Sequence, residues 1–270
     1  NRIAEKANVP CVPYVLSQVR DFNHLRKVSG KLGDDLVVQT PFGDSGHTTF
    51  FISNAEDFNK HEEDIIKEKE VKIMKRINCR GAAIEACVTR EGTIVAPLMT
   101  ELVGFKELTP YKGGWCGNEI YPDAFTPTLR NKARKYTQLF GDQLRTVGYK
   151  GYFELDFLID QDNGQIYLGE LNPRVTGASS ITNHAVFALA DAPLFVFHIL
   201  EWMDVNYKLN INADEIQMSG RVDSYKDLEQ LKQKLLSSDY METVKIDSAA
   251  LTKEEKNKGV EFRLSIGIVK

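Results

Sequence analysis

Residues 151–174 read GYFELDFLIDQDNGQIYLGELNPR, and this stretch decides the fold. The first half, YFELDFLID, is apolar and β-branched or aromatic around an embedded acid, and Gln161-Asp162-Asn163-Gly164 is a strong hairpin turn. The second half, QIYLGELN, then returns antiparallel. Asp156, Glu170 and Asn172 therefore fall on two adjacent strands as metal-competent side chains. An acid among apolar strand residues is costly unless a cation or partner compensates it, so a divalent ion is one reading. Solvent-facing acids and a simple turn at Asn172-Pro173 are the other. If a metal binds, oxygen donors without Cys or His favour Mg²⁺ or Mn²⁺ over zinc.

Working outward, 270 residues at 42% hydrophobic and 27% charged suffice for a substantial core in one large or two smaller lobes. A net charge of −4 and a pI near 5.8 give no reason to expect a nucleic-acid partner. Cys11, Cys79, Cys87 and Cys116 lack paired metal-site spacing and read as free thiols of a cytoplasmic protein. No apolar run reaches membrane-spanning length and no signal peptide is visible, so no membrane partner is expected. Asn1 opens directly into a helical pattern without an initiating Met, which suggests a fragment of a longer chain. Oligomeric state is open between monomer and homo-oligomer.

The order of elements reads as follows. A short helix over 1–8 leads to a strand from Val9 to Leu16 and a helix near Asp21 to Lys31, capped by Asp21. The strand Leu36–Gln39 precedes Thr40-Pro41-Phe42-Gly43-Asp44-Ser45-Gly46-His47-Thr48-Thr49, and a strand from Phe50 to Ile52 follows. A glycine-containing loop between strands can wrap its N–H groups round phosphate, although an ordinary hairpin has the same composition. Then come a charged helix from Ala55 to Glu68 capped by Asn54, a strand over 71–77, and strands Ala83 to Thr89 and Thr93 to Val103. Glu85 lies in the first of that pair and faces either a cleft or solvent.

Residues 104–127 have no clear period and are rich in Gly and aromatics, which reads as a substrate-side loop or one pinned by a buried Trp115. Cys116 has no His-Asn constellation to activate it. An amphipathic helix from about Leu129 to Val147 should turn Leu139, Phe140, Leu144 and Val147 toward the sheet. After Arg174, the small and hydroxyl residues 175–184 lead into helices near 183–189 and 193–203, whose N-terminal region at Ser179, Ser180 and Thr182 could receive an anion. His184 reads as a surface or packing residue. The tail from Asn206 carries a strand, a helix near Tyr225 to Leu236 and a last strand from Val260 to Ile268, with no chemical motif.

In order and type, the glycine loop, the strand at 71–77 and the acidic strand pair resemble the ATP-grasp superfamily, over residues 1 to about 205. The resemblance implies an α+β fold with ATP between antiparallel sheets of two α+β lobes, plus a small C-terminal α+β segment. It implies lobes at 1–75 and 76–205, the second with the metal site, an appendage at 206–270, and an absent upstream domain. It implies Asp156, Glu170 and Asn172 as Mg²⁺ (or Mn²⁺) ligands, with Glu154 an alternative first acid. Gly43, Ser45 and Gly46 fall at the phosphate loop, and Met74, Lys75, Arg76 and Ile77 at the adenine-reading hinge. Arg174 falls beside the transferred phosphoryl group, as the catalytic residue. Gln39 stands where relatives usually have a phosphate-binding Lys, so another cation substitutes or nucleotide binding weakens. The implied activity is an ADP-forming ligase that joins small-molecule carboxylate and amine substrates. The alternatives are a biotin carboxylase-like reaction on bicarbonate and a non-catalytic nucleotide-binding module.

Overall fold

The computed structural model describes residues 1–41, 48–111, 113–188, 193–211, 215–237, 241–252 and 259–268. The chain divides into two compact units, each assembled from three stretches. Asn1–Ala83, Met99–Ala124 and Leu155–Glu170 form the first, and Ile84–Leu98, Phe125–Glu154 and Leu171–Lys270 the second.

The first unit begins with α1 (Arg2–Lys6), β1 (Tyr14–Ser17), α2 (Phe22–Val28), β2 (Leu36–Gln39), β3 (Thr49–Ile52), α3 (Ala55–Asn59), α4 (Glu62–Ile66) and β4 (Val71–Lys75). Its sheet has the order β1-β4-β2-β3, antiparallel throughout. Asp21 caps α2 by accepting the His24 N–H, and Asn54 caps α3 by accepting the Asp57 N–H. The strand expected from Val9 starts only at Tyr14, because Pro10 and Pro13 lack the N–H a ladder needs. Cys11 contributes a lone parallel bridge to Leu168. The charged helix expected over 55–68 is two helices. His61 leaves helical geometry at φ −128° between them, and its ring stacks on Phe50 at 4.6 Å.

One face of this sheet buries Leu36, Val38, Phe50, Ile52, Val71 and Ile73 against Leu25, Phe58 and Ile65 from the helices. Alternation therefore puts Gln39, Lys72, Met74, Thr49 and Phe51 on the other face. Gln39 and Lys72 are direct cross-strand partners.

The five-stranded sheet has the order β7-β6-β5-β8-β9, built from β5 (Cys79–Val88), β6 (Thr93–Val103), β7 (Trp115–Glu119), β8 (Gly151–Asp160) and β9 (Ile166–Asn172). The turn predicted between β8 and β9 forms. Gly164 takes φ +70°, its N–H reaches Asp160 O at 2.8 Å, and the buried Asp160 carboxylate accepts Asp162 N and Asn163 Nδ2 at 2.9 Å each. The region expected to be irregular contains β7, paired antiparallel with β6. Its Gly117, at φ +140°, and its lack of alternating apolar residues hid it. Trp115 is 45% exposed and donates to Asn118 Oδ1 at 2.7 Å, so no buried Trp pins this segment.

In the second unit α5 (Pro127–Thr146) starts at its Thr126 cap with Pro127 in the first turn. Its buried stripe is Ala133, Thr137, Phe140, Gly141 and Leu144. Leu139 and Val147, expected to face the sheet, are 39% and 62% exposed. Small residues carry that stripe, and Gly141 sits too close to Thr93 for a side chain.

After α6 (Ser179–Ala188) and α7 (Leu194–Trp202), the tail forms β10 (Asn206–Ile211), β11 (Glu215–Val222), α8 (Tyr225–Leu236), β12 (Met241–Leu251) and β13 (Val260–Ile268). These strands make a sheet of order β10-β11-β13-β12, richer than the two strands legible in the sequence. Its core packs Ile216, Met218, Val244, Phe262 and Leu264 against Leu228, Leu231 and Leu235 of α8. Among the described residues no helix is long and apolar enough to cross a membrane.

Candidate active site

The end of β9 and the loop after it are held by two buried acids of the second unit. Glu85, on β5, is wholly buried, so it faces neither solvent nor an open cleft. Its Oε2 accepts the Tyr152 hydroxyl at 2.6 Å, and its Oε1 accepts Ser179 Oγ at 2.5 Å and Thr176 Oγ1 at 2.9 Å. Glu154, on β8, is 7% exposed. Its Oε2 lies 3.0 Å from Thr176 Oγ1, sharing that single hydroxyl proton with Glu85, and its Oε1 accepts Asn172 Nδ2 at 3.4 Å. Asn183 extends the network, donating to Tyr152 Oη at 3.0 Å and to Ser179 O at 2.7 Å, while its Oδ1 accepts Phe195 N at 3.0 Å. Burial, and then the Glu85 charge, hold the Tyr152 phenol well above its ordinary range, so it stays a donor.

This network changes the reading of α6. Its first turn was expected to receive an anion near Ser179, Ser180 and Thr182. Ser179 begins the helix with its hydroxyl on Glu85, so a carboxylate of the chain itself occupies that position. His184 is exposed on the same helix, as expected of a surface residue.

Asn172 and Arg174 are in contact. Arg174 N donates to Asn172 O at 2.9 Å and Nη2 to Asn172 Oδ1 at 3.4 Å, while the exposed guanidinium also reaches Val175 O at 3.3 Å. In the first unit Asp156 is half-buried on β8 and Glu170 exposed on β9. Glu170 and Asn172 are two residues apart on β9 and so project to one side of that strand. No group of three or more His, Cys, Asp or Glu among the described residues has metal-holding geometry.

Among the residues expected at the hinge, Met74 is buried on the same sheet face as Gln39, whereas Lys75 and Arg76 are exposed and Ile77 half-buried. The N–H groups of Lys75 and Arg76 already donate to Pro13 O and Asp35 O, at 3.1 and 3.0 Å. Arg76 also lies over the Phe51 ring at 5.2 Å. Gln39 donates through Nε2 to Thr49 Oγ1 at 3.3 Å. Gly43, Ser45 and Gly46 lie outside the described residues. The four cysteines are free, and burial pushes the Cys11 and Cys87 thiols up, away from nucleophilic thiolate.

Sequence reasoning missed the network of Tyr152, Thr176 and Asn183, whose partners are remote in sequence: Thr176 and Glu85 are 91 positions apart.

Solved structures place this architecture. Carboxyaminoimidazole ribonucleotide synthase from Aspergillus clavatus, complexed with ATP, matches with a TM-score of 0.62 and 15% identity over 98% of this chain and 66% of that one. The biotin carboxylase domain of 2-oxoglutarate carboxylase from Hydrogenobacter thermophilus, with MgADP and bicarbonate, matches with a TM-score of 0.62 and 13% identity over 98% and 60%. The fold is that of the ATP-grasp enzymes.

Among curated proteins, the mitochondrial methylcrotonoyl-CoA carboxylase subunit alpha of Arabidopsis thaliana is 23% identical over 228 residues, 81% of this chain. The chain spans 29% of that relative's length, and 65% of the N5-carboxyaminoimidazole synthetase from Staphylococcus aureus, which it matches with a TM-score of 0.58 and 17% identity. A family profile described as fimbrial assembly protein (PilN) matches residues 207–268, the C-terminal four-stranded sheet with α8.

Proposed function

We propose that this chain belongs to an ATP- and Mg²⁺-dependent, ADP-forming ligase that activates a carboxylate as an acyl phosphate for attack by an amine. The observation that carries the reading is the β8–β9 hairpin, with Asp156, Glu170 and Asn172 spaced along it in a fold shared with nucleotide-bound enzymes. Two carboxylates and an amide oxygen are hard donors and suit magnesium. Bound there, the ion would neutralise charge on the phosphate oxygens.

The chain's own groups supply the rest. Asp156 is proposed as the first acid, while both oxygens of Glu154 accept protein donors and hold Asn172 and Thr176. By accepting Asn172 Nδ2, Glu154 also turns the amide oxygen away from itself, as a ligand oxygen would need. Arg174, tied to Asn172 through backbone and side chain, holds a cation beside that oxygen, where it would offset charge on the group in transfer. Gly43, Ser45 and Gly46 are proposed as the phosphate cradle, and Gln39, Met74, Lys75, Arg76 and Ile77 as the remaining nucleotide contacts. With the Lys75 and Arg76 N–H groups engaged, adenine recognition there falls to other groups of the hinge.

A second reading takes bicarbonate as the phosphoryl acceptor. It is favoured by the carboxylase relative and by the neighbour crystallised with bicarbonate. Against it, the Thr176 and Ser179 hydroxyls are committed to buried carboxylates and present no free donor pair to an anion. Self-association enters the proposal only through that neighbour, described as a domain dimer.

The test is phosphate release by the full-length protein with ATP and Mg²⁺, in pooled amino acids against bicarbonate. Release that needs an amine supports the ligase, and release with bicarbonate alone supports the second reading. Nucleotide binding without release in any mixture would leave a non-catalytic binding module.

A further inference from the structure

Lys72 is a cation in an unusual position. It lies in the middle of β4, between Val71 and Ile73, whose side chains enter the core on the opposite face. Its own side chain is half-buried. Its contacts are a long hydrogen bond to Gly169 O at 3.5 Å and the face of the Tyr14 ring at 5.9 Å. It forms no ion pair among the described residues. Burial pulls the ammonium below the ordinary lysine range, against the Glu170 carboxylate, which raises it. Tyr14 offers no compensating anion, because burial and its hydrogen bond to Glu5 push the phenol up to about 12.

Withdrawing an ammonium from water without a carboxylate partner is costly, and proteins rarely keep such a charge without an anion to receive. The neighbourhood is suited to one. Gln39 is the direct cross-strand partner of Lys72, so their side chains leave the sheet on the same face, Cβ atoms about 5 Å apart. An ammonium and an amide side by side can both donate to the oxygens of one phosphoryl group. Gly169, whose carbonyl Lys72 reaches at 3.5 Å, directly precedes Glu170, a proposed magnesium ligand, on β9, which sets this cation beside the phosphate end of the proposed nucleotide site.

We infer that Lys72, with the Gln39 amide beside it, binds a phosphoryl oxygen of the nucleotide and supplies the positive charge that position 39 lacks. The inference rests on the nucleotide-binding reading above. It also resolves the choice that Gln39 left open, since the charge has moved to the adjacent strand.

Calorimetric titration of ADP and adenosine into the full-length protein tests it without turnover. Lys72→Met keeps the apolar stem and removes the charge. It should weaken ADP on the order of tenfold to a hundredfold, the worth of one charge-assisted hydrogen bond, and leave adenosine unchanged. Lys72→Arg should retain most of the affinity. The double variant Gln39→Lys/Lys72→Met returns the charge across the ladder and should recover ADP binding, which a misfolded single variant could not do. ADP affinity unaltered in Lys72→Met overturns the inference and leaves the ligase reading standing. If the wild-type protein binds no ADP, the nucleotide reading falls by itself and inorganic pyrophosphate decides the anion site. Pyrophosphate binding lost in Lys72→Met upholds that site; binding that is absent, or indifferent to Lys72, overturns it.

Discussion

Replacing Tyr152 by Phe removes one oxygen atom from the polar network and leaves the ring in place. The hydroxyl donates to Glu85 Oε2 at 2.6 Å and accepts Asn183 Nδ2 at 3.0 Å, in surroundings where Tyr152 is 1% and Glu85 0% exposed. Its loss strips a buried carboxylate of one of three donors, while Thr176 and Ser179 still serve Oε1. Asn183 keeps its bond to Ser179 O at 2.7 Å, so that side of the loss is partly compensated. No cavity larger than the oxygen forms, so the cost is set by the hydrogen bond to charge, about 2 kcal/mol within a range of about 1.5–3.

Urea unfolding read at Trp202, which belongs to the same unit as Tyr152, isolates the response once Trp115 is replaced by Phe. With a slope of about 2 kcal/mol/M, the midpoint should fall by about 1 M at unchanged slope. Thr176→Val removes a second donor of the same acid, so the two substitutions should couple rather than add. A midpoint shift equivalent to less than about 0.5 kcal/mol, or additivity within about 0.5 kcal/mol, would refute the shared network on Glu85.

Glu170→Gln should cost ATP turnover on the order of a hundredfold or more, by removing a proposed metal ligand from an exposed site, with unfolding unchanged; normal turnover removes the assignment. Glu154→Gln should instead lower stability by about 1–3 kcal/mol, measured by urea titration, since its oxygens serve Asn172 and Thr176; a neutral effect would show those bonds are not made. His198 Nδ1 accepts Tyr152 N at 3.1 Å and burial lowers its pKa from 6.5, so the neutral form is the native one. Its contribution is complete above that unfolded value and is lost as pH falls toward the lower folded value. His198→Leu should therefore flatten the fall in urea midpoint between about pH 7 and 5, and an unchanged slope would place the acid sensitivity elsewhere.

What was legible in the sequence was what local chemistry encodes. The hairpin at 161–164, the caps Asp21 and Asn54 and the strand from Leu36 to Gln39 each follow from neighbouring residues, and each is found in place. The C-terminal sheet was less so. β11 and β12 carry Lys, Asp, Ser and Gln among their core residues, and that mixture reads as loop until four strands share α8 as a cover. In the candidate site, the network on Glu85 and Glu154 that holds Asn172 and the loop after it was not legible. The hydroxyl-rich segment after Arg174 read as a receptor for an anion, and its composition suited one.

That composition cannot separate a ligand's anion from an internal one. Ser and Thr at a helix start stabilise a negative group in either case, and here Glu85 supplies it from a strand far earlier in the chain. Once the donors are assigned, charge separates the two roles. Glu85 and Glu154 are buried acids with their oxygens bonded to protein donors, so they shape the loop bearing Arg174. Lys72 is the converse, a half-buried cation whose surroundings offer a carbonyl, a ring and an amide-bearing neighbour in place of a paired carboxylate. A half-buried ammonium with no ion pair among the described residues is what the inferred phosphoryl contact on the Lys72 side of the sheet would use. The register of β2 against β4, which no reading of either strand alone could give, identifies that side as the one carrying Gln39.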